Sequence, residues 1–335
     1  MENVSIILKN VYVFIEDHSL AVACICTSAC SIYALKRYMA GGVCRSKARM
    51  NGKTVLITGA NAGIGKETAK DLARRGARVL LACRDKSKAD RAAEDIRKST
   101  GNKNVVVYIL DLASLKSIRQ CANEVLSKEP KLDVLINNAG VFGAPRRKTE
   151  DGFEMHFGTN HLGTFLFTNL LLDLLKKSAP SKIVNVSSRG HERAQIDFEN
   201  LNGEKNYSFN GAYEQSKLAN VLFTRELNKR LQGTNVTANY LHPGVVDTGM
   251  IGFKDNCGFA MRIFLNVVYY GFFKYIMKSA VQGAQTTIYC AVDPDLDNVS
   301  GKYFSDCAMK KEVPQALDNE VSAKLWKVSE EMVRL

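Results

Sequence analysis

From Lys53 onward, short runs of β-branched and aliphatic residues alternate with longer segments that have helical spacing. The runs are almost continuously apolar, which is typical of parallel strands that are buried on both faces and connected by helices. No repeat, linker or low-complexity tract interrupts residues 51–311, so the pattern predicts a single α/β domain with a doubly wound parallel sheet. The predicted strands are residues 53–58, 77–83, 104–110, 132–137, 181–187, 235–241 and 301–304.

Two segments flank this domain. Residues 1–50 contain a leader, an uncharged apolar run at 19–35 and a basic linker, and residues 312–335 predict a C-terminal helical tail. As a helix the run would be about 25 Å long, at the short end of what crosses a bilayer. Because the basic residues follow the run, the pattern favours a membrane anchor whose C-terminal side faces the cytosol. A cleaved signal peptide and a buried helix are the alternatives.

The net charge of +12 does not predict a nucleic-acid partner. Five basic residues without an acid lie within residues 36–50, and no basic strip interleaved with aromatic residues occurs elsewhere. The cysteines and histidines lack the spacing of metal ligands, so we expect no metal site. The histidines that we expect to be structural are His156, His161, His191 and His242.

A glycine-rich turn closes the first predicted strand, and a helix follows at once. Gly59 permits a sharp turn, while Gly63 and Gly65 let the backbone approach a pyrophosphate at the helix N-terminus. In this context the loop predicts dinucleotide binding in a Rossmann-type fold, with a tight turn that holds no ligand as the alternative. The residues expected around the pyrophosphate are Thr58, Gly59, Asn61, Ala62, Gly63, Ile64 and Gly65.

The end of the second strand indicates which dinucleotide is bound. A site for NAD usually places an acid there, which binds the ribose 2′-hydroxyl. This chain has Cys83 followed by Arg84, whose guanidinium could pair with a 2′-phosphate. The sequence therefore predicts NADP(H), although Asp85, one residue late for the ribose role, leaves NAD as an alternative.

Tyr213 and Lys217 are four residues apart and fall on one face of a predicted helix. Reduction of a carbonyl by hydride needs an acid over the carbonyl oxygen, and a free tyrosine with a pKa of about 10 transfers protons slowly at neutral pH. A nearby cation would correct this by lowering the pKa of the tyrosine. The pair is common by chance, and a surface pair is its alternative interpretation.

In order and spacing, these motifs resemble the short-chain dehydrogenase/reductase superfamily over residues 51–311. The resemblance implies that Tyr213 is the acid/base, that Lys217 tunes it and binds ribose, and that Ser188 orients the carbonyl, with Ser187 as its rival. Asn160 would hold a water that connects Lys217 to solvent. Further cofactor contacts implied by the resemblance are Asp111 and Leu112 for adenine, Asn138, Ala139 and Gly140 after the fourth strand, and Pro243, Gly244, Val246 and Thr248 around the nicotinamide.

Within this superfamily the chain resembles the microsomal and mitochondrial retinol dehydrogenases. Residues 41–47, 82–85, 112–117, 150–154 and 216–220 carry the resemblance. It implies NADPH-dependent reduction of retinal or other lipophilic aldehydes at an endoplasmic reticulum or mitochondrial membrane, with a cytosol-facing catalytic domain in the former. The alternatives are a reductase of steroid or lipid-derived carbonyls and a non-catalytic NADPH-binding scaffold.

A substrate loop is expected near residues 249–280, where the aromatic-rich stretch 256–277 suits a lipophilic substrate. The alternatives for this stretch are an ordinary buried pair of helices and a second membrane-spanning helix. Thr164 departs from the histidine that relatives often carry and leaves the identity of the substrate open. A homodimer is also left open.

Overall fold

The computed structural model describes residues 19–143, 146–247 and 277–335, apart from the side chains of residues 19–22, 25, 26 and 29. Thr248, a predicted cofactor contact, and residues 249–276 of the expected substrate loop lie outside the described residues.

The described strands form one eight-stranded sheet in the order β3-β2-β1-β4-β5-β6-β7-β8. All neighbours are parallel except β7 and β8, which pair antiparallel. The predicted doubly wound parallel sheet is confirmed, and β8 is an additional strand. The strands are β1 (Thr54–Thr58), β2 (Arg78–Cys83), β3 (Val105–Ile109), β4 (Val134–Asn137), β5 (Ser181–Val186), β6 (Val236–His242), β7 (Tyr303–Ser305) and β8 (Ala308–Lys310).

Helices connect the strands. A π-helix, Phe157–Leu162, runs directly into α5. The α-helices are α1 (Ser19–Ala40), α2 (Gly63–Arg74), α3 (Lys86–Thr100), α4 (Leu115–Lys128), α5 (Gly163–Leu170), α6 (Leu172–Lys177), α7 (Phe209–Arg230), α8 (Ala280–Val292) and α9 (Asn319–Val333).

Both faces of the sheet are buried, which explains why its strands are continuously apolar. In β1, Leu56 joins one hydrophobic cluster, while Val55 and Ile57 join the other. The first cluster takes side chains from α4, α5, α7 and α9, and the second from α2, α3 and α8. Successive side chains of a strand point to opposite faces, so a strand covered on both sides needs apolar residues at every position.

The C-terminal segment packs on the first of these layers through α9. Trp326 lies edge-on to Phe165 of α5 with 4.9 Å between ring centroids, and the Arg230 guanidinium lies 4.1 Å from the Trp326 ring. Ser329 of the same helix is hydrogen-bonded to Nε2 of the buried His161 at 2.8 Å. The tail thus covers α5 and α7, the helices that carry the π-helical turn and the tyrosine–lysine pair.

The predicted anchor run coincides with the first part of α1. Large apolar side chains are exposed along this helix, including Tyr33 and Tyr38, which are 64% and 82% exposed. Within the described ranges, no helix combines the length and apolarity needed to cross a membrane.

Candidate active site

The candidate site lies at the carboxyl ends of the parallel strands, beside the point between β1 and β4 where the strand order reverses. Ligands of open α/β sheets bind in this crevice because the chain leaves neighbouring strands in opposite directions. A cavity of about 860 Å³ occupies it. The predicted site residues that line it are Gly59, Asn61, Ala62, Gly63, Ile64, Gly65, Asn138, Ala139, Gly140, Ser188, Tyr213, Lys217, Pro243, Gly244 and Val246.

The glycine-rich loop packs closely against the segment after β4. Gly59 has φ +68°, and a Cβ on Gly65 would lie 2.5 Å from the Asn138 side chain, closer than real Cβ atoms approach. The Thr58 hydroxyl accepts hydrogen bonds from the backbone N–H groups of Asn138 and Ala139, at 3.0 and 2.9 Å. Thr58 therefore holds the two loops together from behind the cavity wall, where sequence reasoning expected a cofactor contact.

The N-terminus of α2 is open for an anion. The helix is capped by Ala62, which has an extended backbone and no side-chain hydrogen bond to the first turn. Gly63, with φ +55°, and Gly65 present backbone without side chains to the cavity. The unpaired N–H groups and the positive end of the helix dipole fit a pyrophosphate, so this cradle suits a nicotinamide dinucleotide.

The end of β2 carries a cysteine and an arginine before its first acid. Cys83 is buried and Arg84 is exposed. The Asp85 carboxylate caps α3, where its Oδ1 accepts a hydrogen bond from Lys88 N at 3.0 Å. Asp85, the residue that left NAD open as the alternative cofactor, therefore serves as the N-cap of α3.

The predicted adenine contacts lie at the end of β3, outside the cavity wall that the described residues form. Asp111 Oδ1 accepts a hydrogen bond from Ala113 N at 2.9 Å, which shapes the turn before α4. Leu112 is buried, and a Cβ on Gly163 would overlap its carbonyl oxygen. Leu112 therefore packs against the start of α5.

Tyr213 and Lys217 stand one turn apart on α7 and both line the cavity. The Lys217 amine donates to Val186 O at 3.1 Å and lies 5.8 Å from the Tyr213 ring centroid. Burial lowers the pKa of Lys217 to about 8. Burial raises the pKa of Tyr213, and a hydrogen bond with Ser188 opposes that rise. The predicted lowering of the Tyr213 pKa by Lys217 stays a prediction.

The two serines after β5 have different partners. Ser187 is buried, and its hydroxyl donates to the Lys217 carbonyl oxygen at 2.9 Å. The Ser188 hydroxyl accepts a hydrogen bond from Gly190 N at 3.2 Å, lines the same cavity as Tyr213 and opposes the rise in the pKa of Tyr213 that burial causes. The geometry therefore places the Ser188 and Tyr213 hydroxyls together and leaves Ser187 in a supporting position.

Asn160 lies in the π-helical turn, a feature that often marks functional sites. Its side-chain amide binds both polar groups of the Val141 backbone: Oδ1 accepts from Val141 N at 2.7 Å, and Nδ2 donates to Val141 O at 3.0 Å. Nδ2 also donates to Ser216 Oγ at 3.0 Å. A Cβ on Gly140 would lie 3.2 Å from both Asn160 Oδ1 and Lys217 Nζ. Asn160 thus positions the segment beside Lys217, and the water that it was expected to hold stays a prediction.

The cavity is also lined by residues that sequence reasoning did not assign to the site, and Phe142 and His242 are two of them. Phe142 packs edge-on to Tyr213 with 4.7 Å between ring centroids. His242, which we expected to be merely structural, accepts a hydrogen bond from Arg189 N on Nδ1 at 3.1 Å, and burial lowers its pKa to about 4. The sequence could have indicated both residues, because Phe142 lies two residues after the Asn–Ala–Gly motif and His242 directly precedes the Pro–Gly motif. Thr164, by contrast, is buried in α5 away from the described cavity wall.

The arrangement has the parts that carbonyl reduction needs. The glycine-rich cradle for a dinucleotide lines the same cavity as a tyrosine, a serine and a buried lysine. Preorganised hydrogen-bond donors at the place where negative charge develops stabilise the transition state of such a reaction.

Known proteins resemble this chain in sequence and in fold. The short chain dehydrogenase family matches residues 53–256. Retinol dehydrogenase 14 of Mus musculus is 52% identical, over 85% of this chain and 86% of its own. Retinol dehydrogenase 13 of Homo sapiens is 50% identical, over 94% of this chain and 95% of its own.

A solved structure of a short chain dehydrogenase from Shigella flexneri, complexed with NADP, is 25% identical with a TM-score of 0.60 and covers 78% of this chain and 100% of its own. The family match spans more than half of the chain, and the curated relatives share half of their residues with it over almost its whole length. The chain therefore belongs to the short-chain dehydrogenase/reductase family of nicotinamide-dependent oxidoreductases, in its retinol dehydrogenase group.

Proposed function

We propose that the protein is an NADP(H)-dependent reductase of lipophilic aldehydes, and that all-trans-retinal is its substrate. The observation that carries the reaction type is the meeting of Tyr213, Ser188 and Lys217 in the same cavity as the glycine-rich cradle. A non-catalytic scaffold would need the cradle but not this cluster.

The preference for NADP(H) rests on the end of β2. Arg84 is exposed and directly follows the last residue of β2, and Asp85, the next residue, is engaged as the cap of α3. A guanidinium binds phosphate by charge-assisted hydrogen bonds, whereas a carboxylate at this place would repel it. The NADP-complexed relative of known structure supports the same choice.

When bound, the reduced nicotinamide supplies the hydride. Ser188 donates a hydrogen bond to the substrate carbonyl oxygen and orients it, and Tyr213 donates its proton to the same oxygen as negative charge develops there. Lys217 in its protonated form stabilises the tyrosinate that remains, because opposite charges at short distance favour the ionised form of the acid. Asn160 and Ser187 hold the backbone on either side of Lys217.

The choice of a retinoid rests on the relatives and on the cavity wall near Tyr213. The relatives are named retinol dehydrogenases. Phe142, Val245 and Met277 give the described wall an apolar lining, which suits a hydrocarbon chain.

A substrate panel tests the proposal. Purified full-length protein with NADPH should turn over all-trans-retinal with a higher kcat/KM than steroid ketones or lipid-derived aldehydes. A higher kcat/KM for a steroid or lipid carbonyl would replace the substrate but keep the reaction. Absence of turnover with every carbonyl, in protein that still binds NADPH, would favour the scaffold.

We also propose that α1 and the basic linker attach the enzyme to the endoplasmic reticulum or a mitochondrial membrane, with the catalytic domain facing the cytosol in the former. Support comes from the exposed apolar side chains of α1 and the cluster of basic residues at 36–50. Deletion of residues 1–50 should release part of the protein from membranes. Complete extraction of the full-length protein by alkaline carbonate would contradict an integral anchor.

A further inference from the structure

Lys278 is a buried lysine outside the catalytic cluster. It is 5% exposed, and its Nζ lies 2.5 Å from Asp306 Oδ1 in the turn between β7 and β8. Its backbone N–H donates to Val245 O at 2.9 Å, and its carbonyl oxygen accepts from Asp247 N at 3.0 Å. Lys278 therefore joins the loop after β6, which carries Pro243 and Gly244, to the far edge of the sheet.

Three glycines enclose the Lys278–Asp306 pair. A Cβ on Gly41 would overlap Asp306 Oδ1 and Lys278 Nζ, and one on Gly42 would overlap the Asp306 carbonyl oxygen. On the other side, a Cβ on Gly244 would lie 2.7 Å from Lys278 Cδ. The lysine thus packs between the linker that follows α1 and a residue that lines the cofactor cavity.

The turn that supplies the carboxylate has an unusual backbone. Asp306 and Cys307 are consecutive non-glycine residues with φ +54° each. This left-handed conformation is unfavourable for residues with a side chain, and it persists where the surrounding structure requires it. Here it directs the Asp306 carboxylate to Lys278, where the Gly41–Gly42 backbone approaches Asp306 closely.

We propose that Lys278 is a positioning residue for the nicotinamide end of the cofactor, and that Asp306 and the Gly41–Gly42 linker hold it in place. The inference rests on the proposed function, which puts the nicotinamide beside Pro243 and Gly244. The aliphatic part of the Lys278 side chain packs against Gly244. The Lys278 backbone N–H holds the next residue, Val245, through its carbonyl oxygen. The linker after α1 is therefore coupled to cofactor affinity, while the adenine end is left untouched.

Two glycines with the same φ allow a matched test. Gly41 and Gly52 both have φ +72°, but a Cβ on Gly52 would meet nothing within 4 Å. Gly41→Ala and Gly52→Ala therefore share the backbone cost, and Gly41→Ala alone intrudes on the ion pair. The measurement is the Kd of each full-length variant for NADPH and for adenosine 2′,5′-bisphosphate, which lacks the nicotinamide.

We expect Gly41→Ala to raise the Kd for NADPH about tenfold, as for loss of one charged hydrogen bond, and to leave the Kd for adenosine 2′,5′-bisphosphate unchanged. Gly52→Ala should change neither. Equal NADPH affinity in the two variants, or equal weakening of both ligands by Gly41→Ala, would overturn the inference.

A second pair of variants keeps the inference testable if Gly41→Ala does not fold. Lys278→Met should weaken NADPH to a similar extent, and Asp306→Asn added to it should have no further effect, because the two residues act as one unit. Unchanged NADPH affinity in Lys278→Met would overturn the inference. Equal binding of NADPH and NADH by the unmodified protein would instead contradict the proposed cofactor preference, since the nicotinamide is common to both.

Discussion

The Lys217 amine lies 5.8 Å from the Tyr213 ring centroid and donates a hydrogen bond to the Val186 carbonyl oxygen at 3.1 Å. Desolvation of the amine lowers the pKa of Lys217 to about 8. The roles that we propose for Lys217 require its charge, so the fold would keep a buried cation at a cost in stability. This cost can be measured.

Replacement of Lys217 by methionine should stabilise the cofactor-free protein at pH 7. The unfolded chain holds the lysine proton up to about pH 10.4 and the folded one up to about pH 8, so the unfolded state binds more protons between these values. Stability of the wild type therefore rises with pH across this window, and below it the buried charge costs the fold roughly 3 kcal/mol. Loss of the bond to Val186 offsets about 1 kcal/mol of the gain.

Denaturant unfolding of full-length Lys217→Met should thus give about 2 kcal/mol of added stability at pH 7, and the gain should shrink above pH 8. Lys229→Met is the control, since Lys229 lies on the same helix with 39% of its side chain exposed. If Lys217→Met were less stable than wild type at pH 7, the buried charge of Lys217 would not lower the free energy of unfolding as we expect.

Substitution of the two serines after β5 separates their roles. Ser188→Ala should lower kcat by about 10²–10³, the usual cost of one donor to a developing oxyanion, with little change in the Kd for NADPH. Ser187→Ala removes a hydrogen bond to the Lys217 carbonyl and should lower stability by about 1 kcal/mol with a smaller loss of kcat. The reverse order of kcat losses would assign the carbonyl contact to Ser187.

Substitution of Arg84 tests the cofactor preference. Arg84→Ala should weaken NADPH binding by about ten- to a hundredfold, because a charge-assisted phosphate contact is lost, and should leave NADH binding unchanged. Lys98→Ala, which removes the same charge from the last turn of α3, is the control. Equal Michaelis constants for NADPH and NADH in the unmodified enzyme would contradict the preference.

The strands were predictable because burial on both faces forces an unbroken apolar run. In β1 and β4 every residue is buried, and the predicted ends agree with the observed ones to within two residues. The strand β8 was missed for the opposite reason: all three of its residues are exposed, so its sequence carries no pattern of burial.

The roles of individual polar residues were less predictable, because a motif does not say which partner a side chain takes. Thr58 belongs to the glycine motif, yet its hydroxyl binds the backbone after β4. Asp85 caps a helix that begins one residue later. Lys278 and Asp306 are 28 residues apart in sequence, and pairing at that separation is a property of the fold.

A single-turnover experiment tests the central claim most directly. Full-length protein pre-loaded with NADPH is mixed with all-trans-retinal, and the loss of NADPH and the formation of retinol are followed together in wild type, Tyr213→Phe and Tyr207→Phe. Tyr207→Phe is the control, because it also removes a tyrosine hydroxyl, and that hydroxyl is hydrogen-bonded to Glu154 at 3.4 Å. We predict that wild type and Tyr207→Phe form one retinol per NADPH consumed, and that Tyr213→Phe binds NADPH normally but reacts at least about 10²-fold more slowly. Retinol formation by Tyr213→Phe at a rate comparable to wild type would contradict the account.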